Sequence, residues 1–390
     1  MRLLPWDYAV RNLARSPVRL GLSVAGATLV VLLVIAAGAF VRGMGRTLTV
    51  TGGQGNVMLL GAGSEESVER SEISPTVPGL VGGSVAGIKT VGGVPMISPE
   101  VYFMAPVRLA RDDAGGTAVS LRGVTPAAFL VHAQARLASG RLPAPGRDEL
   151  LVGALAAAKL GVSDDRVAAG QSLWIDHRAW QIVGRFEAPG TVMEAEIWAA
   201  LTDLQIAARR DNLSCVVLTL DPREAEFDDV DLFARRRLDL ELVALREDAY
   251  YAKLLAFYRP IQAMAWATAI LIATGGLFGG LNTMYAAFAS RVRELGALQA
   301  IGYPRYAIVA SLVQESVLAS TAGALIAAGL SLWLIDGVNV RFSIGVFALS
   351  IDTTVLALGL AAGLLLGIVG ALPPAWRCLR LPITEALKAT

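Results

Sequence analysis

The feature that most constrains this chain is a set of four long runs almost free of charged residues. A helix needs about 20 apolar residues to cross the hydrocarbon core of a bilayer, and each run is long enough. We therefore predict an α-helical membrane protein with four transmembrane helices and one large α+β extracytoplasmic domain between the first and second spans. The predicted spans are residues 20–41, 260–290, 306–335 and 353–376.

The overall composition agrees with a chain that lies partly in lipid. Hydrophobic residues make up 54% and charged residues only 17%, and the mean hydropathy is +0.55, which soluble domains rarely reach. The formal net charge of +1 argues against a nucleic-acid partner, because such binding needs clustered excess Lys and Arg. Two cysteines and two histidines are too few for a disulfide framework or a His/Cys metal site.

The distribution of Lys and Arg beside the spans predicts the orientation in the membrane, because cytoplasmic loops carry an excess of these residues. We expect both termini and residues 291–305 on the cytoplasmic side. Residues 42–259 and the short link 336–352, which has only Arg341, are expected outside. The basic residues on the predicted cytoplasmic side are Arg2, Arg11, Arg15, Arg19, Arg291, Arg293, Arg305, Arg377, Arg380 and Lys388.

A cleaved signal peptide is the alternative interpretation of the first span, since basic residues precede it and small residues follow Ile35. The uncharged run is long for the apolar region of a signal peptide. Removing this span would also place the arginine-rich residues 291–305 outside the membrane. We therefore favour a transmembrane helix.

Residues 1–19 have the pattern of an amphipathic helix on the membrane surface. Trp6, Val10 and Leu13 share one face at helical spacing, and Pro17 separates this segment from the first span. We expect it to anchor the cytoplasmic face, and we also predict a short cytoplasmic tail at residues 377–390.

The predicted external domain, residues 42–259, mixes strand and helix signals and is long enough for two lobes. Residues 240–259 are predicted to form one helix that continues into the second span, because no Gly or Pro interrupts it before Pro260. Strands are predicted at residues 101–110, 117–124, 172–175, 179–186 and 215–220, and helices at 148–160 and 202–210.

No catalytic or metal site is predicted in this domain. The aspartate pairs 164–165 and 228–229 lack the spaced oxygen ligands of a calcium loop, and turns exposed to solvent are the simpler interpretation. His132 and His177 have no partner at metal-ligand spacing, which favours packing or surface roles. Cys215 lies in an apolar stretch and is predicted to be a buried thiol.

Small residues in the second span predict a close contact between helices, because in lipid packing replaces the hydrophobic driving force. The contact partner is either another span of this chain or a second chain. The four glycines of this pattern are Gly275, Gly276, Gly279 and Gly280. Milder series follow in the third span at Gly323, Ala327 and Ala328, and in the fourth at Gly359, Gly363 and Gly367.

Glu315 is an ionisable residue close to the start of the third span, and such residues are costly at membrane depth. A proton or ion relay is one interpretation. Because Glu315 lies about three helical turns from Arg305, we favour a structural role near the interface with a local partner.

Several stretches together resemble a known family. Residues 9–24 read AVRNLARSPVRLGLSV, residues 381–388 read LPITEALK, and residues 140–162 read GRLPAPGRDELLVGALAAAKLGV. Residues 281–308 read LNTMYAAFASRVRELGALQAIGYPRYAI, and the second half of this stretch is the most specific part. With one large external insertion after the first span, this order resembles the MacB/FtsX/LolC-type permeases, the mechanotransmitting class of ABC transporters. Ser290 departs from the pattern, since many relatives have Glu there.

The resemblance implies a permease subunit that is not itself an enzyme. ATP hydrolysis in a partner would move the periplasmic domain and drive export or extraction of an amphiphilic substrate from the periplasmic side of the inner membrane. Two alternatives remain open: an FtsX-like signalling protein that activates a periplasmic cell-wall hydrolase, and LolC/LolE-like lipoprotein release. No G-x-x-x-x-G-K-[ST] motif occurs in the 390 residues. The ATPase, with its ATP and magnesium, is therefore expected on a separate chain.

The resemblance also implies partners and a docking site. The expected partners are an ABC ATPase dimer, a second permease chain of the same or a related kind, a periplasmic adaptor protein and membrane lipid. Polar contacts to the ATPase are expected from Arg291, Arg293 and Glu294, and Leu295 and Leu298 are expected to fill its groove. The implied coupling residues are Arg291, Arg293, Glu294, Leu295, Gly296, Leu298, Ala300 and Gly302.

Overall fold

The chain divides into two compact units in a computed structural model that describes residues 6–52, 55–113 and 115–387. Arg2 and Lys388 of the predicted cytoplasmic basic residues lie outside the described part. The first unit comprises Met1–Arg42, Pro260–Val338 and Leu349–Thr390, and the second comprises Gly43–Arg259 and Asn339–Ala348.

The first unit is built from helices whose starts are set by local sequence. Pro17 occupies the first turn of the second helix, where its missing N–H costs nothing, and Asp352 caps a later helix by accepting the Val355 N–H at 2.8 Å. In chain order the α-helices of the described residues are α1 (Trp6–Ala14), α2 (Pro17–Thr51), α3 (Val77–Ser84), α4 (Ala128–Val131), α5 (Ala156–Leu160), α6 (Leu201–Ala208), α7 (Phe227–Arg236), α8 (Glu247–Phe257), α9 (Arg259–Ala289), α10 (Val292–Ala300), α11 (Arg305–Leu334), α12 (Thr353–Cys378) and α13 (Ile383–Ala386).

Within the described part of the chain, four helices are long and apolar enough to cross a membrane, and they coincide with the four runs seen in the sequence. They are α2, α9, α11 and α12. Helix α2 extends past the predicted end at residue 41 and continues to Thr51. The hydrophobic run therefore marked where a helix lies in the chain, while the helix itself is longer because its polar last turns still make backbone hydrogen bonds.

The N-terminal helix α1 packs on α11 through the face that carries Ala9 and Asn12. These two residues are buried, with exposed fractions of 0% and 4%, whereas Val10 of the predicted apolar face is 53% exposed. Anchoring of that face on the membrane surface stays a prediction. Asn12 is buried because its side chain donates a hydrogen bond to Glu315 on α11, which the apolar spacing of α1 does not reveal.

The second unit is organised around a mixed sheet of ten strands. Its order is β12-β1-β11-β4-β5-β10-β7-β9-β6, and β8 pairs with β4 and β9. The β10–β5 and β7–β9 pairs are parallel, and the others are antiparallel. The strands are β1 (Asn56–Gly61), β2 (Thr90–Val91), β3 (Val94–Pro95), β4 (Ile97–Arg108), β5 (Thr117–Val124), β6 (Arg136–Gly140), β7 (Glu149–Gly153), β8 (Ser172–Ile175), β9 (Arg178–Glu187), β10 (Ile197–Ala200), β11 (Cys215–Thr219), β12 (Leu242–Arg246), β13 (Asn339–Arg341) and β14 (Val346–Ala348).

The long strand β4 joins the two halves of this sheet. Its first residues pair with β11 and its later residues pair with β5, so one strand serves both halves. A large apolar core that includes Val101, Val119 and Leu218 covers the sheet. A smaller core around Phe186 and Trp198 lies under β7, β9 and β10. The two predicted lobes therefore share one continuous sheet.

Two predicted helices begin instead as strands. In the predicted helix 148–160, β7 takes Glu149–Gly153 and only Ala156–Leu160 is helical. In the predicted helix 240–259, β12 takes Leu242–Arg246 before α8 begins, and Tyr258 separates α8 from α9. The reason is tertiary: the apolar residues of β7 and β12 are held in strand geometry by neighbouring strands, and short apolar runs fit either structure.

The predicted strands at 101–110, 117–124, 172–175, 179–186 and 215–220 correspond to β4, β5, β8, β9 and β11. Asp176 and His177 form the two-residue turn between β8 and β9, both with positive φ as a type I′ hairpin turn requires. The short link between α11 and α12 contains the β13–β14 hairpin, which belongs to the second unit.

Candidate functional site

The predicted coupling segment is the short helix α10, which lies between the long helices α9 and α11 in the chain. Arg291 stands at its N-cap position and is only 9% exposed. The guanidinium points inward, where it donates to Glu315 Oε2 at 3.1 Å and contacts Glu294 Oε2 at 3.3 Å. Arg291 therefore anchors the start of α10 to α11, and its side chain does not extend from the surface as a docking contact requires.

Glu315 is the centre of this anchor. Its carboxylate accepts hydrogen bonds from Asn12 at 2.8 Å, Arg19 at 2.8 Å and Arg291 at 3.1 Å. These donors come from α1, α2 and the start of α10. Two arginines against one buried carboxylate keep the negative charge compensated. The arrangement joins four segments at one point.

The inner side of α10 packs into an apolar cluster. Leu295 is 2% exposed and lies with Phe288, Leu312 and Ala375. Gly296 faces Ala386 of α13 so closely that an added Cβ would lie 2.9 Å from the Ala386 Cβ. Leu295 is thus part of the chain's own core, and the expectation that it fills a partner's groove does not agree with its burial.

The outer side of α10 is free of such packing. Arg293, Glu294 and Ala300 are exposed, as is Gly302 in the turn that follows, where φ is +103°. Leu298 is half-buried at the edge of the apolar cluster. The structure therefore separates the predicted coupling residues into an inner group that holds the helix and an outer group that remains accessible.

The glycine series of the four long helices differ in what they contact. A Cβ on Gly323 would lie 2.7 Å from the Val24 carbonyl oxygen of α2, so α2 and α11 approach closely there. Gly276 of α9 packs against Val30 of α2. Among the described residues, nothing lies within 4 Å of a Cβ placed on Gly275, Gly279 or Gly280. Of the four glycines predicted to pack in α9, Gly276 is thus the one that contacts another described helix.

A second cluster of charged residues lies in the interior of the second unit, where sequence reasoning found no site. Arg122 of β5 is 0% exposed and makes two hydrogen bonds to Glu196, at 2.8 Å and 2.6 Å. It also donates to Glu100 of β4 at 3.2 Å. His132, which follows α4, contacts the other Glu100 oxygen at 2.6 Å. Glu247, the first residue of α8, lies 3.7 Å from the second ring nitrogen of His132.

The electrostatics of this cluster follow from burial and from the opposite charges. Burial alone would raise the pKa of Glu100, but His132 and Arg122 outweigh it and lower that pKa to about 2. Burial would lower the pKa of His132, yet the Glu100 carboxylate raises it above its ordinary value. Burial raises the pKa of Glu247, and His132 and Asn56 only partly oppose this.

The cluster is shielded from solvent, since its charged side chains are 0–3% exposed. Aromatic rings complete its walls, since the Arg122 guanidinium lies 4.4 Å from the Tyr102 ring centre and 5.4 Å from that of Trp198. The signal that could have found it is a charged residue inside an apolar strand, as at Arg122, because such residues are buried only when paired. Across the described residues no group of His, Cys, Asp and Glu is arranged to hold a metal ion.

The chain matches two protein families along its length. Residues 20–228, more than half of the chain, match the MacB-like periplasmic core domain, and residues 266–383 match the FtsX-like permease C-terminal family. The second match contains α10, Glu315, α11, α12 and most of α9. No curated protein is similar enough in sequence to match the chain.

Solved structures show similarity to the external part. The periplasmic region of MacB from Actinobacillus actinomycetemcomitans has 8% identity and a TM-score of 0.40, covering 54% of this chain and 97% of that one. The extracellular domain of the noncanonic ABC-type transporter YknZ from Gram-positive bacteria has 13% identity and a TM-score of 0.35, covering 49% of this chain and 99% of that one. With both family matches in place, the chain belongs to the MacB/FtsX-type permeases of ABC transporters.

Proposed function

We propose that this chain is a permease subunit that converts ATP hydrolysis by a separate ABC ATPase into motion of its external domain. In this proposal the motion drives export or extraction of an amphiphilic substrate from the periplasmic side of the inner membrane. ATP and magnesium would bind to the partner ATPase. The observation that carries the proposal is helix α10, which is anchored on one side and exposed on the other.

The anchoring suits a part that transmits force. A docking helix moves its own membrane helices only if it is held firmly to them, and Arg291, Leu295 and Gly296 provide that attachment. Arg293 and Glu294 on the outer side offer opposite charges to a partner. We therefore assign contact with the ATPase to Arg293, Glu294, Ala300 and Gly302, and anchoring to Arg291, Leu295 and Gly296.

The proposed orientation places both termini and α10 in the cytoplasm and the second unit in the periplasm. Basic residues beside the spans support it, as the sequence predicts. Membership of the β13–β14 hairpin in the second unit supports it too, because residues 339–348 then share a compartment with Gly43–Arg259. An even number of crossings separates these segments in this orientation, so both can lie on one side.

A second permease chain is part of the proposal. Only 6% of the most apolar window of α9 is buried, against 33% in each of the other three long helices. The open glycines Gly275, Gly279 and Gly280 lie on this helix and would allow another helix to approach closely. We further propose lipid around the spans and a periplasmic adaptor bound to the external domain.

Charge reversal on α10 tests the docking step. We expect Arg293→Glu to reduce co-purification of the partner ABC ATPase by about tenfold or more, since a like charge replaces an attractive one at the contact. Arg305→Glu is the matched control. It makes the same charge change on an exposed residue in the first turn of α11, where a negative charge is favourable.

Equal recovery of the ATPase with Arg293→Glu and wild-type permease would exclude this docking surface. A separate measurement distinguishes export from signalling. Stimulation of the reconstituted ATPase by an amphiphile would support export. Activity that depends instead on a soluble cell-wall hydrolase would contradict the export function while leaving the docking step intact.

A further inference from the structure

We infer that the external domain carries a binding site for a small amphiphilic anion, formed where β4, the β8–β9 hairpin and the end of α6 meet. A cavity of about 360 Å³ opens there. Compact organic ligands bind in pockets of about 300–1,000 Å³, so this volume fits a small molecule. The site shares no residue with the buried Arg122 cluster or with α10.

The charge of the cavity favours an anion. Arg108, Arg111 and Arg209 line it, with Asp176 as the single carboxylate. Within the described chain, none of the three arginines takes part in an ion pair, although the Arg111 guanidinium lies 6.0 Å from the Trp174 ring centre. Three guanidinium groups without carboxylate partners around one opening can hold an oxyanion through paired hydrogen bonds.

The apolar part of the lining favours a ligand that is not a simple ion. Trp174 and Phe103 are half-buried at the cavity, and Ala105 and Pro106 extend the apolar surface between them. An indole ring of this kind stacks on a flat apolar group, while the arginines bind the charged end. A carboxylate, sulfonate or phosphate on an aromatic or aliphatic body has the chemistry that this lining recognises.

The backbone turns sharply at two edges of the cavity. Asp176 and His177 form the type I′ turn between β8 and β9, and Arg209 ends α6 in the left-handed conformation. Residues of both turns line the same cavity.

The site goes beyond the docking function, and only its use as a substrate site would depend on the export proposed above. Binding itself is tested on the full chain in lipid nanodiscs, by calorimetry with naphthalenesulfonate and with empty nanodiscs as the blank. We expect saturable binding that is at least about tenfold tighter than that of the neutral naphthalenesulfonamide, because only the sulfonate gains the arginine contacts.

The paired substitution Arg108→Gln with Arg111→Gln should weaken sulfonate binding by about tenfold or more. Arg223→Gln, an exposed arginine outside the cavity, should leave it unchanged. If the paired variant does not fold, Arg209→Asn takes its place, since Asn tolerates the left-handed conformation of that residue. Any of three results would overturn the site. They are undiminished sulfonate binding by the folded variant, equal binding of the two probes, and absence of binding by the wild type. Co-purification of the ATPase is measured separately, so the docking proposal can fail or hold independently.

Discussion

The two buried ionic clusters of this protein differ in how completely they are closed. In the second unit, the Arg122 and Glu100 side chains are both 0% exposed. In the first unit, the Glu315 side chain is 6% exposed but that of its partner Arg19 is 21% exposed. A closed cluster has no solvent to replace a lost partner, whereas an open one can recover part of the loss.

The clusters also differ in what they connect. Arg122 and its partners join strands β4, β5 and the start of β10 with the residue after α4, all inside one sheet-based core. Glu315 joins α1, α2, the start of α10 and α11, and so lies directly behind the exposed face of α10. The Arg122 cluster thus stabilises the core of the second unit. The Glu315 cluster holds the segment that we propose docks the ATPase.

The largest expected effect is at the closed cluster. Arg122→Met leaves Glu100 and Glu196 buried without their main partner, and breaking such a pair costs about 3–5 kcal/mol. For a domain of this size we expect the melting temperature of the full protein to fall by on the order of 10 °C. Arg136→Met is the control, since its ion pair with Glu187 is exposed and worth less than about 1 kcal/mol. Equal falls in melting temperature for the two substitutions would contradict the idea that a closed cluster stabilises the protein more than an exposed ion pair does.

An intermediate effect is expected at Glu315. Glu315→Gln removes the charge that holds Arg19 and Arg291. We expect the free energy of unfolding to fall by about 1–3 kcal/mol. The loss is moderate because the partly exposed Arg19 can bind water in place of the carboxylate. We expect faster tryptic cleavage after Arg293 on the loosened α10, and weaker co-purification of the ATPase. Glu385→Gln is the matched control, because it makes the same change on an exposed side chain of the first unit and alters neither α10 nor the residue after the cleavage site. Unchanged cleavage in Glu315→Gln would show that α10 is held by apolar packing alone.

The smallest effect is a dependence of stability on pH in the closed cluster. The raised pKa of His132 means that its stabilisation is complete below its ordinary value of 6.5 and is lost as the pH rises through the folded value. The raised pKa of Glu247 acts in the same direction, starting from its ordinary value of 4.5. We therefore expect the melting temperature to fall as the pH rises above 6.5.

Comparison of two histidine variants identifies the group responsible. His132→Gln should make the melting temperature less dependent on pH, whereas His177→Asn should leave the dependence unchanged, because His177 is exposed in a turn that Asn tolerates. A melting temperature that rises over this pH range in the wild type would contradict the assigned direction. Glu100, with a pKa lowered to about 2, affects stability only as the pH falls toward that value.

Local patterns in the sequence were sufficient for much of the architecture. The four apolar runs identified the four long helices, and β5 and β8 have the predicted bounds, because hydrophobic length and alternation act within a few residues of the chain. Several stretches together, with residues 281–308 the most specific, suggested the family that the matches support. Cys215 is buried in an apolar strand, as its neighbours in the chain predict.

Only the tertiary structure decided which polar side chains from distant parts of the chain meet. Glu315 binds Asn12 and Arg19, which are 303 and 296 residues away in the chain, and no spacing rule connects them. Leu295 was predicted to fill the groove of a partner, whereas in the structure it packs inside the apolar cluster of the first unit. Residues Glu149–Gly153 are strand because β9 and β10 lie beside them. Sequence sets what a segment can form, and burial against distant partners selects among those forms, since the free energy of pairing and packing is released only when the segments meet.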